Sequence, residues 1–192
     1  MTRLRALCSA VLICSAHSAW ALCVDEKKPL PATTLSNRAQ SGEILYRAAD
    51  NNLLYQPWSS TSLTGQVHVI YHLAARHGAD EINEKFIQAL ENLPPRSYRL
   101  VVILNIDDVF TGGSYFARKT FEQNARENAG SVTFVLDDSS HIKQAWCLKP
   151  QSSTILVLDA NGYIMKAKDG ALHETEIQDY TQQILQQGKV SL

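Results

Sequence analysis

Apolar residues along this chain change period several times, and each change marks an element. Residues 67–73 form a mostly apolar strand. Ile82, Phe86, Ala89, Leu90 and Leu93 then recur at helical spacing behind Asp80, a good N-cap, and Pro94-Pro95 ends that helix. Residues 100–104 are a continuous apolar run, expected of a strand buried on both faces. Ser114 is placed to cap a second helix carrying Ala117, Phe121 and Ala125 and stopping near Gly130. A strand at 132–136 and a short helix through Ile142 and Trp146 follow. Strands at 154–158 and 163–167 flank Asp159-Ala160-Asn161-Gly162, a hairpin signal. Ile177, Tyr180 and Ile184 lie on a last helix ending at Gly188. Phe86, Phe121 and Phe134 sit at core spacing and are read as packing.

Upstream of this series, residues 24–41 are polar and proline-bearing, an extended entry segment. Residues 43–47 and 53–56 flank Asp50-Asn51-Asn52 as a small β-hairpin. Residues 58–63 have room for one helical turn before Gly65. The order from residue 67 is β-α-β-α-β-α-β-β-α, which predicts an α/β fold. A largely parallel sheet would carry helices on both faces and close on an antiparallel edge.

The first residues do not fit that fold. Arg3 and Arg5 precede an apolar run at 6–16, and Ala19-Trp20-Ala21 places small residues where a signal peptidase cuts. The expected organisation is a cleavable signal peptide at 1–21, an N-terminal extension with the hairpin at 22–64, and the main domain at 65–192. The run is too short for a mature anchor, so a soluble protein exported to the periplasm is expected, with no membrane anchor after cleavage. Removing Arg3 and Arg5 from the 18 basic residues leaves 16 against 19 acidic, a net charge of −3. That balance argues against nucleic acid as a partner. Cys8 and Cys14 leave with the signal, so the mature chain keeps Cys23 and Cys147. An even number in an oxidising compartment permits a disulfide; two independent thiols, with Cys147 partly buried, are the alternative, and spacing does not choose between them.

The segment Gly65-Gln66-Val67-His68-Val69-Ile70-Tyr71-His72-Leu73-Ala74-Ala75-Arg76 runs into His77-Gly78-Ala79-Asp80. It resembles periplasmic thioredoxin-like proteins, in which a Gly-Lys-Val-Val strand runs into Trp-Cys-x-x-Cys. Here the two cysteine positions fall on His77 and Asp80, and the proline expected near Ser153 is absent. With Asn105-Ile106-Asp107-Asp108, Trp146, Ser152-Ser153, Val157-Leu158-Asp159 and Lys168-Asp169-Gly170-Ala171-Leu172, the chain is more closely similar to the YtfJ family of exported thioredoxin-like proteins. The resemblance implies a thioredoxin-like three-layer α/β/α sandwich with a mixed central sheet and an N-terminal β-hairpin extension. It implies no established activity.

Thioredoxin chemistry needs a thiolate at a helix N-terminus. His77 and Asp80 offer none, so dithiol exchange is not expected. Ligands of open α/β sheets bind beyond the carboxyl ends of the strands. That places a candidate site at Arg76, His77, Asp107 and Asp108, with Arg76 pairing Asp107 or Asp108 and the loop near Trp146 and Ser153 closing the far side. Lys168 and Asp169 follow the last strand and are expected to pair locally, with Gly170 in a turn. The leading expectation is a binding module for an unidentified protein, peptide or small ligand, without cofactor. An alternative is a non-redox enzyme with His77 as a base held by Asp107; a weaker one is a thiol oxidoreductase built on Cys147. A metal at His77, Asp80, Asp107 and Asp108, or at His68 and His72 on one strand face, ranks below solvated or core-edge side chains. Thr111-Gly112-Gly113-Ser114 opens a helix and is a weak anion-binding signal.

Overall fold

The computed structural model describes residues 23–36, 41–107 and 113–188. The expected signal segment, Asp108, Thr111 and Gly112 lie outside the described residues. The strands are β1 (Thr34–Leu35), β2 (Gly42–Arg47), β3 (Asn52–Gln56), β4 (Trp58–Ser59), β5 (His68–Ala74), β6 (Arg99–Asn105), β7 (Val132–Asp137), β8 (Ser153–Leu158) and β9 (Ile164–Asp169). The helices are α1 (Glu84–Glu91), α2 (Ser114–Glu127), α3 (His141–Ala145) and α4 (Glu174–Gly188), with 3-10 turns at Ser60–Ser62 and Glu81–Asn83.

Seven strands form one sheet in the order β3-β2-β7-β6-β5-β8-β9. β5, β6 and β7 are parallel, while β2, β3, β8 and β9 add antiparallel pairs on either side. Every residue of β5 and β8 is buried, His68, His72, Ser153 and Thr154 included, as expected of strands in a sheet covered on both faces. The expected hairpin is present as β2 and β3, and it joins the main sheet through β2 against β7.

The two faces are covered differently. Successive strand residues point to opposite faces, so Val69, Tyr71 and Leu73 of β5 meet α1, α2 and α4, and Ile70 faces the other way. On the first face Phe86 of α1 is edge-on to Tyr180 of α4 at 6.0 Å, and Phe121 of α2 to Phe134 of β7 at 5.2 Å. Fully burying a side chain such as Phe86 stabilises by about 1.5–3 kcal/mol. On the second face the only α-helix among the described residues is the five-residue α3. The remaining cover is the N-terminal segment, through Val24, Leu35, Trp58 and Leu63. Helices thus lie on both faces, and on the second the N-terminal extension supplies the cover beside α3.

Two expected caps differ. Asp80 makes no capping bond; its carbonyl accepts from the Tyr71 hydroxyl at 2.8 Å, and a 3-10 turn intervenes before α1. Ser114 is the first residue of α2, behind Gly113, which makes no side-chain capping bond. Lys168 and Asp169 do not pair, because neighbours on a strand point to opposite faces. Lys168 reaches Glu176 of α4 at 2.7 Å. Asp169 accepts from Thr154 Oγ1 at 3.0 Å and lies 3.4 Å from Lys149 Nζ.

Candidate functional site

The carboxyl ends of β5, β6 and β7 lie together, with Ala74 opposite Asn105 and Asn105 opposite Asp137. Three loops leave this edge. The first, 75–80, is pinned by the Ala75 amide donating to the Asn105 carbonyl at 2.9 Å, by the Ala79 amide donating to the Arg76 carbonyl at 3.2 Å, and by Tyr71. Burial, more than any neighbouring charge, pushes the Tyr71 phenol up to about 12, so it stays a neutral donor. Gly78 takes φ +76°, a turn conformation that side chains rarely adopt. Arg76, His77 and Asp80 project from this loop, all exposed.

Beside the loop lies a cleft of about 510 Å³ between β5, the 75–80 loop and α2. Leu73, Leu104 and Phe121 give it an apolar floor; Arg76, His77 and Asp80 stand on one side and Phe116 on the other. Phe116 is 71% exposed and Tyr115 beside it 60%, which is unusual for such large apolar rings. Their positions fall off the Ala117–Phe121–Ala125 spacing, so the periodicity already placed them outside the core; the sequence reading did not single them out.

The second and third loops, after β6 and β7, engage each other. Ser140, buried and at φ +54°, places its hydroxyl 3.1 Å from Asn105 Oδ1 and 2.9 Å from Asp107 Oδ2. The Asp107 amide donates to Asn105 Oδ1 at 3.2 Å. Asp137, fully buried, accepts from the amides of Ser139, His141 and Ile142 and so caps α3. Asp107 is therefore engaged with Ser140, not with Arg76, whose guanidinium donates to Gln151 Oε1 at 3.1 Å. No hydrogen bond or ion pair among the described residues holds His77.

Trp146 and Ser153 do not close the far side. Trp146 is 0% exposed within the second core, edge-on to Trp58, and its indole N–H lies 3.1 Å from the Pro31 carbonyl and 2.9 Å from Thr33 Oγ1. It anchors the N-terminal segment. Ser153 is also 0% exposed and accepts from Asn83 Nδ2 at 2.9 Å. Asn83 further donates to the Gly170 carbonyl at 3.1 Å and accepts from the Leu172 amide at 2.9 Å. This buried latch ties the start of α1 to β8 and to the loop before α4.

Cys23 and Cys147 form a disulfide, with Cα atoms 5.2 Å apart. The bridge joins the N-terminal segment to the end of α3, and the Cys23 amide donates to the Trp146 carbonyl at 3.1 Å. Neither cysteine lines the cleft. His68 and His72 share the strand face and are buried, and no group of three metal-ligating side chains converges among the described residues. No helix of the described residues is long and apolar enough to cross a membrane.

Against solved structures, the chain is similar to the thioredoxin domain of a thiol-disulfide oxidoreductase from Bacteroides vulgatus. The TM-score is 0.52 at 11% identity, covering 84% of this chain and 99% of that one. It is also similar to a reduced 2-Cys peroxiredoxin from Plasmodium vivax, with a TM-score of 0.54 at 13% identity, covering 85% and 83%. At such identities the likeness establishes the thioredoxin-like fold alone. Among sequences, an uncharacterised protein of Haemophilus influenzae is 34% identical over 172 residues, 87% of this chain and 90% of that protein. The uncharacterised protein YtfJ of Escherichia coli K12 is 37% identical over 126 residues, 65% of this chain and 68% of its own length. The family described as bacterial protein of unknown function (YtfJ_HI0045) matches residues 24–187, and this chain belongs to it.

Proposed function

We propose that this protein acts, after export to the periplasm, as a binding module on a thioredoxin-like scaffold, with no dithiol chemistry of its own. The observation that supports this reading is the cleft at the carboxyl edge of β5. It is bordered by Arg76, His77, Gly78 and Asp80, so no sulfur stands there. Both described cysteines are consumed in a bridge elsewhere. A disulfide-exchange catalyst needs an accessible thiolate at the reacting position, and a histidine cannot replace it.

The cleft's size falls in the range of small-ligand sites, about 300–1,000 Å³. Its floor is apolar and its rim carries the Arg76 cation, with the Asp80 carboxylate on the same side. The occupant that fits is an apolar side chain or ring beside an anionic or hydrogen-bond-accepting group, supplied by a protein, a peptide or a small ligand. Exposed Phe116 extends that surface.

The test uses a photo-reactive side chain at Phe116 in the exported protein, with the same group at exposed Tyr163 as control. A discrete adduct at 116, absent at 163 and lost with Arg76→Glu, supports the cleft. Equal labelling at both positions counts against it. Turnover of insulin disulfides by the purified protein would defeat the non-redox reading outright.

A further inference from the structure

The strand β3 ends the sheet, with no further strand beyond it among the described residues. Half the amide and carbonyl groups of an outer strand point away from its neighbour, so a bare edge is a template for another chain. Soluble proteins blunt such edges with lysine, proline or a bulge. The sequence of β3, Asn-Leu-Leu-Tyr-Gln, carries no charge and no proline. Leu54 on β3 and its register partner Leu45 on β2 are 40% and 38% exposed on the same sheet face.

We propose that this edge is an interface for a second copy of this chain, pairing β3 antiparallel with its symmetry mate about a two-fold axis at Leu54. This inference is independent of the cleft. The pattern on the Leu54 face is self-complementary in that arrangement. Within one protomer Arg47 is opposite Asn52, Leu45 opposite Leu54, and Glu43 opposite Gln56. Antiparallel pairing about Leu54 sets Asn52 opposite Gln56 of the second copy. Across four strands one row then reads Arg47, Asn52, Gln56, Glu43, with the last two from the second copy. The central row reads Leu45, Leu54, Leu54, Leu45, and the third row repeats the first in reverse.

Every outer row thus ends in opposite charges, bridged by two amides; Gln56 Nε2 already donates to Glu43 Oε2 at 3.0 Å. Parallel pairing would instead place Arg47 on one row with Arg47 and Glu43 with Glu43. That asymmetry favours the antiparallel two-fold, an isologous and therefore closed contact. A five-residue strand buries little area, so association should be weak, with a dissociation constant on the order of 100 µM.

The test is sedimentation velocity of the intact, oxidised protein from about 5 to 500 µM. A concentration-dependent monomer–dimer equilibrium is expected. L54K and L54E, each at an exposed position, should weaken self-association at least about tenfold, because like charges then face each other across the axis. An equimolar mixture of L54K and L54E chains should regain dimer, since opposite charges meet there. A wild type that is monomeric at 500 µM overturns the proposal. So does a dimer that L54K leaves unchanged, or failure of the mixture to exceed either variant alone.

Discussion

Removing the Cys23–Cys147 bridge tests how the N-terminal layer is held. The bridge spans 124 residues of sequence, so it closes everything from the N-terminal segment to the end of α3 into one loop and leaves β8, β9 and α4 outside it. In the chain-entropy model, closing a loop of that length costs the unfolded chain about 16 cal/mol/K, or about 5 kcal/mol at 25 °C. A C23S/C147S double variant loses that constraint. Its native state also gains some freedom, because residues 23–26 then rely on the buried Val24 and on backbone bonds such as Lys27 amide to Ile164 carbonyl. Returned backbone entropy offsets about 1–2 kcal/mol of the loss. The net expectation is a stability lower by about 3–4 kcal/mol. With a guanidinium m-value of about 4 kcal/mol/M, the unfolding midpoint moves down by nearly 1 M, roughly. Equilibrium denaturation followed by tryptophan fluorescence reads this directly, because Trp146 lies next to the bridge and is fully buried. Oxidised wild type treated with reductant should match the double variant. A midpoint lower by less than about 0.2 M would refute the reasoning, since residue 23 would then not be restrained by residue 147 in the oxidised fold.

Cys147 sits at φ +51° just after α3, where glycine is usual, so with Cys23→Ser in both, Cys147→Gly should be more stable than Cys147→Ser by about 1 kcal/mol in denaturant melts. Asn83→Ala leaves the Ser153 hydroxyl, the Gly170 carbonyl and the Leu172 amide short of a partner; a loss of about 3 kcal/mol is expected, and Asn83→Asp should not restore it, since a carboxylate cannot donate. Gly42→Ala should cost at least about 2 kcal/mol, because φ is +119° and a Cβ would collide with the Gln56 carbonyl oxygen; circular dichroism melts will show whether the β2–β3 hairpin tolerates it. Burial, with the Arg99 charge adding to it against the Gln66 carbonyl, holds the His68 imidazole below its usual 6.5. The unfolded chain therefore takes up the proton first as pH falls, so the stability His68 contributes is present above pH 6.5 and is lost below it, by at most about 1.4 kcal/mol per pH unit. His68→Gln should flatten that part of the profile between pH 7.5 and 5.5; an unchanged slope would show that His68 does not titrate differently in the two states.

The pattern of apolar runs determined the main strands and helices by itself, though not the short strands β1 and β4. Residues 100–104 are apolar without interruption, and 67–73 and 154–158 are mostly so, broken by His68, His72 and Thr154; runs this short and this apolar fit strands covered on both faces. The sequence also determined that the carboxyl edge of β5 lacks sulfur, because strand–loop–helix order places residues 77 to 80 there whatever the packing. Tertiary structure alone decided how the polar residues near that edge divide. Asn105, Asp107 and Ser140 meet only because parallel register brings β6 and β7 level, so Asp107 faces Ser140 while Arg76 faces Gln151. Trp146 was legible as a large apolar residue, but not as the anchor of a segment more than a hundred positions earlier. The bridge between Cys23 and Cys147 is of the same kind. Local pattern encodes which face of an element is apolar through its repeat of two or 3.6 residues, but partners distant in sequence are selected by the sum of all packing in the closed sheet, which no short window contains.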